Sequence, residues 1–502
     1  MKKLILILLL NTIGICIYGQ SPAIEWQKAY GGTGDDRAFS IRTTSDGGYI
    51  TVGTSSSSDG IVYGNHGSGD FWVVKLSFTG DIEWQKSLGG SDYERATSVQ
   101  QTTDGGYIVA GYSYSNNGNV SGNHGSDDFW VVKLSPSGSL EWQQSYGGTQ
   151  QDEAYDIQQT LDGGYVIAGN TNSNDGDVTG NQGSTDIWVV KITGTGVLSW
   201  QKTFGSSGEE TANSIRQTQD GGYIVAGTND LVGGDVTANH GGNDYWILKL
   251  SATGVLQWQK SFGGSHEDDA NSICETFDGG YIVAGQSYST DGDIDCTGAG
   301  FWLLKLSNTG AILWKNCYGG YSAQEIQQTS DSGYIVCGYS QLGGSDCFYS
   351  DDHYLVLKLS TAGGVEWTKC IGRVLYDYAW SITQGLDGGY VVAGQSASSY
   401  SAITGLSDWD YFIAKLGHWP NGVSDLGSYG SVRVFPNPTP GSLSVEGLGI
   451  KSVIIYNSVG QIVKKTYYSK DISISEFSPG SYLIKVFDSN DHLMFQHKIS
   501  KL

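Results

Sequence analysis

Residues 40–53 read Ser-Ile-Arg-Thr-Thr-Ser-Asp-Gly-Gly-Tyr-Ile-Thr-Val-Gly. Two short runs rich in β-branched residues, 40–44 and 49–53, flank Asp46-Gly47-Gly48, which is a tight-hairpin signal. The hairpin returns along the chain. Asp-Gly-Gly-Tyr begins again at Asp104, Asp162, Asp220, Asp278 and Asp387, with Asp331-Ser332-Gly333-Tyr334 as a variant copy. After the hairpin a long Gly/Ser/Asn/Asp loop leads to Asp70-Phe71-Trp72-Val73-Val74-Lys75-Leu76, and counterparts of this strand start at Asp128, Asp186, Asp244, Gly300, His353 and Asp410. A turn at Thr79-Gly80 then opens a fourth strand around Trp84. Its tryptophan column, Trp26, Trp84, Trp142, Trp200, Trp258, Trp314 and Trp367, is spaced by 58, 58, 58, 58, 56 and 53 residues.

Four strands per repeat and no helix-period stretch predict an all-β chain, a seven-bladed β-propeller over residues 20–416. The ends of the array sharpen this. The first repeated element, around Trp26, is a fourth strand, and the last, residues 411–416, is a third strand with no partner after it. The N-terminal strand is therefore expected to complete the last blade and remove both free edges. The strand order resembles that of TolB-type propellers. The Thr79-Gly80…Trp84 hairpin resembles the tryptophan-docking motif of quinoprotein propellers. Both imply blade geometry only, and no quinone.

The N-terminus reads as an export signal: Lys2 and Lys3, an apolar run from Leu4 to Ile17, then Tyr18-Gly19 before a polar start. Cleavage is expected near Gly19, giving a signal peptide of residues 1–19, and no other stretch is apolar enough to span a membrane. Composition changes after residue 416. Five of the seven prolines follow it, 417–430 reads as a linker, and residues 431–502 read as a small Ig-like β-sandwich. This last segment resembles the type A C-terminal sorting domain of the type IX secretion system of Bacteroidetes. The match is carried by Val434-Phe435-Pro436-Asn437-Pro438, by Ile454, Tyr456, Asn457 and Gly460, by Pro479-Gly480-Ser481-Tyr482-Leu483-Ile484-Lys485-Val486, and by the terminal Lys498-Ile499-Ser500-Lys501-Leu502. The resemblance implies recognition by the type IX machinery through residues 431–502. It also implies release or attachment at the outer-membrane surface.

Composition excludes some functions. With 51 acidic against 28 basic residues and a formal charge of -23, the chain lacks the clustered Lys and Arg of a nucleic-acid binder. A polybasic membrane-surface role is excluded for the same reason. Cations, neutral glycans and basic surfaces remain, and a monomer is expected.

The long loops all fall on one face, where function usually sits. Asp36, Glu94, Asp152, Glu210, Asp268 and Asp377 each stand two residues before a recurring Ala at the mouth of the first strands. They are placed either to ring the channel and hold a cation, or to cap their own turns by accepting backbone N–H bonds. Asp291-Gly292-Asp293-Ile294-Asp295 has the alternating carboxylates that suit Ca²⁺, although the twelfth position from Asp291 is Trp302, which excludes an EF-hand. Asp175-Gly176-Asp177 is similar. His66, His124 and His240 recur in Asn-His-Gly loops, with Gln182 in the matching place. No nucleophilic triad stands apart from the repeat. Thr44-Ser45-Asp46-Gly47-Gly48-Tyr49 resembles the Asp-box of sialidase propellers, a hairpin feature remote from the active site.

Apart from Cys16, the cysteines are Cys274, Cys296, Cys317, Cys337, Cys347 and Cys370, all in the fifth and sixth blades. Topology predicts Cys296–Cys317 and Cys347–Cys370, each contributing roughly 3 kcal/mol by loop entropy. Cys274–Cys337 is the remaining pairing. Two functions compete: an exported binding or adhesion propeller with a glycan or protein ligand on the acidic loop face, and a secreted carbohydrate-active hydrolase with a carboxylate site there. An enzyme is expected to show one pocket of unpaired acids; a binder is expected to show repeated shallow sites or a flat face.

Overall fold

The computed structural model describes residues 21–341 except 297 and 299, residues 352–418 except 373–374 and 398–408, and residues 432–501 with short gaps. The expected signal peptide and most of the expected linker lie outside them. The described residues hold strands and no helix long and apolar enough to cross a membrane.

Blade 1 is the antiparallel sheet Asp36–Thr43, Tyr49–Ser55, Asp70–Leu76 and Ile82–Leu88, paired in that order. Five further blades repeat it, and their first strands are Glu94–Gln101, Asp152–Gln159, Thr211–Gln217, Asp268–Glu275 and Ser322–Gln328. The seventh takes Asp377–Gln384, Tyr390–Ser396 and Asp410–Leu416 from the end of the array. Its outer strand is the N-terminal Ile24–Tyr30, with Gln27 opposite Ala414. First strands of successive blades touch all the way round, the seventh against the first, so the ring is closed.

The second and third strands of blade 1 are buried along their whole length. Each blade is covered on both faces by its neighbours, so these strands read as continuous apolar runs rather than alternating ones. The cores accordingly lie between blades. Ile50, Val52, Phe71 and Val73 of blade 1 pack against Val99, Val109, Trp130 and Val132 of blade 2. Aromatic contacts follow the same rule, with Phe71 and Phe129 each 4.5 Å from the tryptophan of the next blade, Trp130 and Trp188. Tyr30 Oη donates to the Gly80 carbonyl at 2.6 Å, and the Trp26 ring lies under Gly80, which docks the fourth strand of blade 7 onto the turn of blade 1.

The lysine column is buried beneath the Asp-Gly-Gly hairpins. Lys75 Nζ is 2.9 Å from Asp46 Oδ2 and 3.0 Å from Glu83 Oε2, and it donates to the Leu76 carbonyl at 3.2 Å.

Every first strand carries a β-bulge. In blade 1 the register shifts between Ala38 and Ser40, leaving Phe39 outside the ladder. The shift recurs after Ala96, Ala154, Ala212, Ala270, Ala323 and Ala379. Opposite each bulge stands the glycine that ends the Tyr-Ile-Val-Ala-Gly type of second strand. A Cβ on Gly53 would lie 1.8 Å from the Arg37 carbonyl oxygen, and one on Gly111 would lie 1.9 Å from that of Arg95. The glycine column is therefore the partner of the bulge column.

Cys296 and Cys317 form a disulfide with Cα atoms 5.7 Å apart, tying the long loop of blade 5 to its outer strand. Cys370 is also disulfide-bonded; Cys347, its expected partner, lies outside the described residues. The remaining pairing is corrected: Cys274 and Cys337 are free thiols. Alternate residues of a strand face opposite sides of the sheet. Cys274 packs into the core between blades 5 and 6 beside Ile326 and Val336, whereas Cys337 packs between blades 6 and 7 with Trp367 and Ala379. The sheet of blade 6 separates them. Titration of the mature chain under denaturing, non-reducing conditions is expected to find two reactive thiols, those of Cys274 and Cys337. Six would contradict the pairing.

The C-terminal segment forms two sheets around its own core. One contains Arg433–Phe435, Ser442–Glu446 and Asp471–Ser473, and the other Ile462–Tyr467, Ile450–Tyr456, Gly480–Asp488 and Leu493–Lys501. Leu443, Val445, Val453, Ile455, Ile484 and Val486 are buried together.

Candidate functional site

The bulge re-aims one side chain per blade, a device common beside functional sites. The residues it frees are Phe39, Thr97, Tyr155, Asn213, Asn271, Gln324 and Trp380. The alanine before each is constant and the backbone repeats, yet these seven side chains do not. All seven are partly exposed. Three of the polar ones reach the next blade: Thr97 Oγ1 donates to the Ala154 carbonyl, Asn213 Nδ2 to that of Ala270 and Asn271 Nδ2 to that of Ala323, each at 2.9 Å.

The amide half of this ring opens into a cavity of about 350 Å³, lined by Asn213, Asn271, Gln324 and Trp380 together with Glu209, Thr211, Thr228, Asn243, Asp269, Gln286, Ser322 and Tyr339. Its walls are organised before any ligand arrives. Asp269 accepts from Asn243 Nδ2 at 3.1 Å and from Gln286 Nε2 at 2.6 Å, Thr211 and Thr228 share a 2.9 Å hydroxyl contact, and Gln324 Nε2 donates to Ser322 at 2.8 Å. The carboxamide oxygens of Asn213 and Asn271 are left for a ligand. Amides and hydroxyls offer donors and acceptors together, while Tyr339 and Trp380 add aromatic surface. With the carboxylates Glu209 and Asp269 also in the wall, this chemistry matches a polyhydroxylated ligand and disfavours an anion.

One turn deeper the repeat has serine: Ser40, Ser98, Ser214, Ser272 and Ser381. Blades 3 and 6 substitute Asp156 and Glu325. Asp156 accepts from Ser98 at 2.9 Å and from the Ile215 amide at 3.0 Å, and pairs with Arg216. Glu325 accepts from Ser381 at 2.6 Å and lies 3.0 Å from Arg42 Nη1. Two of the five propeller arginines are thus spent bracing the channel.

The six recurring carboxylates do not line this cavity. Asp36, Glu94, Asp152, Glu210, Asp268 and Asp377 are fully buried. Glu94 accepts the Gly90 N–H at 2.8 Å and the Ser113 hydroxyl at 2.9 Å; Asp152 accepts from Gly148 at 2.7 Å and Ser173 at 2.9 Å; Asp268 accepts from Gly264 at 2.8 Å and Ser289 at 2.9 Å. Asp36 takes the Gly32 N–H and Ser57, and Glu210 takes both groups of Ser206. Asp36, Glu94, Asp152, Glu210 and Asp268 therefore cap the turns that enter their blades.

Asp291, Asp293 and Asp295 point to separate partners: the Ser265 amide at 2.8 Å, the Gly263 amide at 3.4 Å and Lys315 at 3.0 Å. Among the described residues no three His, Cys, Asp or Glu side chains are placed to hold a metal ion. His66, His124 and His240 each sit with Nδ1 2.6–2.7 Å from the buried Asp70, Asp128 or Asp244 of their own blade.

Burial raises the carboxyls of Asp36 and Asp152 to about 6 and that of Glu210 to about 7, against the hydrogen bonds they accept. An acid with a raised folded pKa stabilises the fold below its unfolded pKa, and that contribution is lost as pH climbs through the folded value. The hairpin aspartates run the other way. Although desolvation opposes it, hydrogen bonds from Thr102 and Lys133 hold Asp104 down at about 2, and Asp162, Asp220 and Asp278 are alike. Their contribution is present above the ordinary carboxylate pKa and lost as pH falls toward 2. The propeller is therefore expected to melt higher near pH ~5 than near pH ~8. A midpoint rising steadily over that interval would contradict the burial of the caps.

Sequence reading missed the bulge ring. Its signal was available, because an isolated glycine inside a strand marks a bulge, and seven such glycines recur.

Residues 433–500 match the family model of the secretion system C-terminal sorting domain. A chain ending in this domain is exported by the type IX secretion system, often to the cell surface. No curated protein matches the chain. Among solved structures it is similar to the WD40 propeller domain of Doa1, at 11% identity over 79% of this chain and 97% of that one, with a TM-score of 0.45. It is similar to the Pan2 WD40 domain of Neurospora crassa, at 11% identity, 79% and 92% coverage and a TM-score of 0.42. It is also similar to PorZ, a surface component of the type IX secretion system of Porphyromonas gingivalis, at 12% identity, 95% and 60% coverage and a TM-score of 0.39.

Proposed function

We propose that this secreted, type IX-sorted propeller is a glycan-binding protein whose ligand seats at the long-loop mouth of the channel, on the bulge residues Asn213, Asn271, Gln324 and Trp380. One observation carries the reading. The backbone repeats through all seven bulges while the side chains do not, so the ring is polar and amide-rich on one side and aromatic on the other. A scaffold position would keep one residue type, as the neighbouring alanine does. Calcium and the repeated loop carboxylates play no part in this reading, since those carboxylates lie outside the cavity lining.

A glycan array probed with the mature propeller, with and without calcium, tests it. Binding to neutral glycans that does not depend on calcium is expected. Silence on the array, or binding that vanishes with a chelator, would remove the support.

A hydrolase reading has one observation in its favour. Asp127 is fully buried, and both burial and the neighbouring Glu153 push its carboxyl upward, as a general acid requires. Release of reducing sugar by the wild-type chain but not by Asp127→Asn would favour it over simple binding.

A further inference from the structure

We infer that the ligand is an extended glycan chain, held along a curved aromatic rail that leaves the channel mouth over blades 5 to 7. This inference rests on the glycan reading above and specifies the length and path of the ligand.

The rail is a series of five rings in mutual contact: Tyr288, Tyr321, Tyr339, Tyr378 and Trp409. Successive centroids are 5.8, 5.7, 4.8 and 5.4 Å apart. All five lie at strand ends or in loops on the long-loop side. Tyr339 belongs to the wall of the cavity itself, and its ring is 6.4 Å from that of Trp380. The rail is thus continuous with the polar pocket. At its far end Arg37 covers Trp409 at 5.7 Å from the ring centroid.

Tyr321 replaces a repeat residue rather than extending the repeat. Tyr321 stands in blade 6 where the other six blades carry the capping acid, one place before Ser322, the counterpart of Arg37. It is 39% exposed instead of buried. Tyr339 occupies the position of Thr54, Asn170 and Thr228 in blades 1, 3 and 4, which is tyrosine again, Tyr112, in blade 2. An exposed aromatic in place of a buried cap gives up local hydrogen bonding, and the fold alone does not require it. The rings are spaced on the scale of one sugar residue, and a pyranose presents a C–H face that stacks on an aromatic while its hydroxyls stay solvated. The propeller carries 45 acidic and 18 basic residues between positions 20 and 416, so a neutral polysaccharide fits the rail and a polyanionic one is repelled.

Calorimetry on the full mature chain tests this with paired disaccharides and hexasaccharides of β-1,4-glucan, β-1,3-glucan, xylan, mannan and chitin. In the series that binds, the hexasaccharide is expected to bind roughly tenfold or more tightly than the disaccharide. Tyr321→Ala is expected to remove most of that gain while leaving disaccharide affinity unchanged. Equal affinity for the two lengths, or an undiminished length gain in Tyr321→Ala, overturns the rail alone. No binding by any series overturns the glycan reading and the rail with it. Loss of disaccharide binding in Tyr321→Ala places the ring inside the primary pocket and also overturns the rail. The exposed position of Tyr321 makes a folding failure checkable by an unchanged melting curve, and Tyr376→Ala, at a residue 46% exposed and stacked on Tyr378 at 6.3 Å, is the second variant.

Discussion

Gly111→Ala is expected to destabilise the propeller by about 3–5 kcal/mol. The added Cβ would stand 1.9 Å from the Arg95 carbonyl oxygen and 2.9 Å from the Ala96 Cα. Both are backbone atoms of the bulged first strand, so no side-chain rotation relieves the clash. The sheet must open or the bulge must unwind, and unwinding would turn every later residue of that strand to the opposite face. Gly105→Ala is the control. That glycine sits in the hairpin at φ 84°, and its Cβ position meets only the Pro136 Cγ at 3.7 Å, an ordinary van der Waals contact. Its substitution carries only the left-handed backbone penalty, about 1–2 kcal/mol. Urea denaturation of the two variants should therefore separate crowding from conformational preference. Equal losses would mean that the glycine column serves the turns rather than the bulges.

The second large effect concerns the ligand. Trp380→Ala is expected to weaken glycan binding by about thirtyfold or more, as removal of a central aromatic anchor does. Asn271→Ala is expected to weaken it as well, because it removes a carboxamide whose donor is already fixed to the Ala323 carbonyl and whose acceptor is poised for the ligand. Both side chains are partly exposed, but each also contacts a neighbouring blade, so affinity is to be compared at a temperature well below the melting point of each variant. Asp291→Asn provides the contrast, since that carboxylate lies on the same face but is bonded to the Ser265 amide in an outer loop. Its substitution should leave affinity unchanged. A loss at Asp291 with none at Trp380 would move the site from the channel mouth to the loops.

The fold was largely legible because each blade states it again. The hairpin aspartates, the third-strand run and the tryptophan column each mark a strand, and the unpaired element around Trp26 announced the closure with Asp410–Leu416. The site was less legible for a physical reason. Repeated carboxylates such as Asp36 and Glu94 draw the eye as ligands, yet a residue that recurs in every turn is more readily explained by what every turn needs, an acceptor for orphaned amides. Asn213, Asn271, Gln324 and Trp380 share no motif, and only the bulge shows that they occupy one equivalent position. The cysteines divide in the same way. Cys296 and Cys317 were within reach of each other along one blade, whereas the separation of Cys274 from Cys337 depends on which side of the sheet each side chain faces.

Stoichiometry tests the central claim most directly. When the mature chain is titrated calorimetrically with a neutral oligosaccharide that binds it, a single symmetry-broken mouth predicts one ligand per chain, lost in Trp380→Ala. Several equivalent ligands per chain, retained in that variant, would show that the repeated loops bind and that the bulge ring does not.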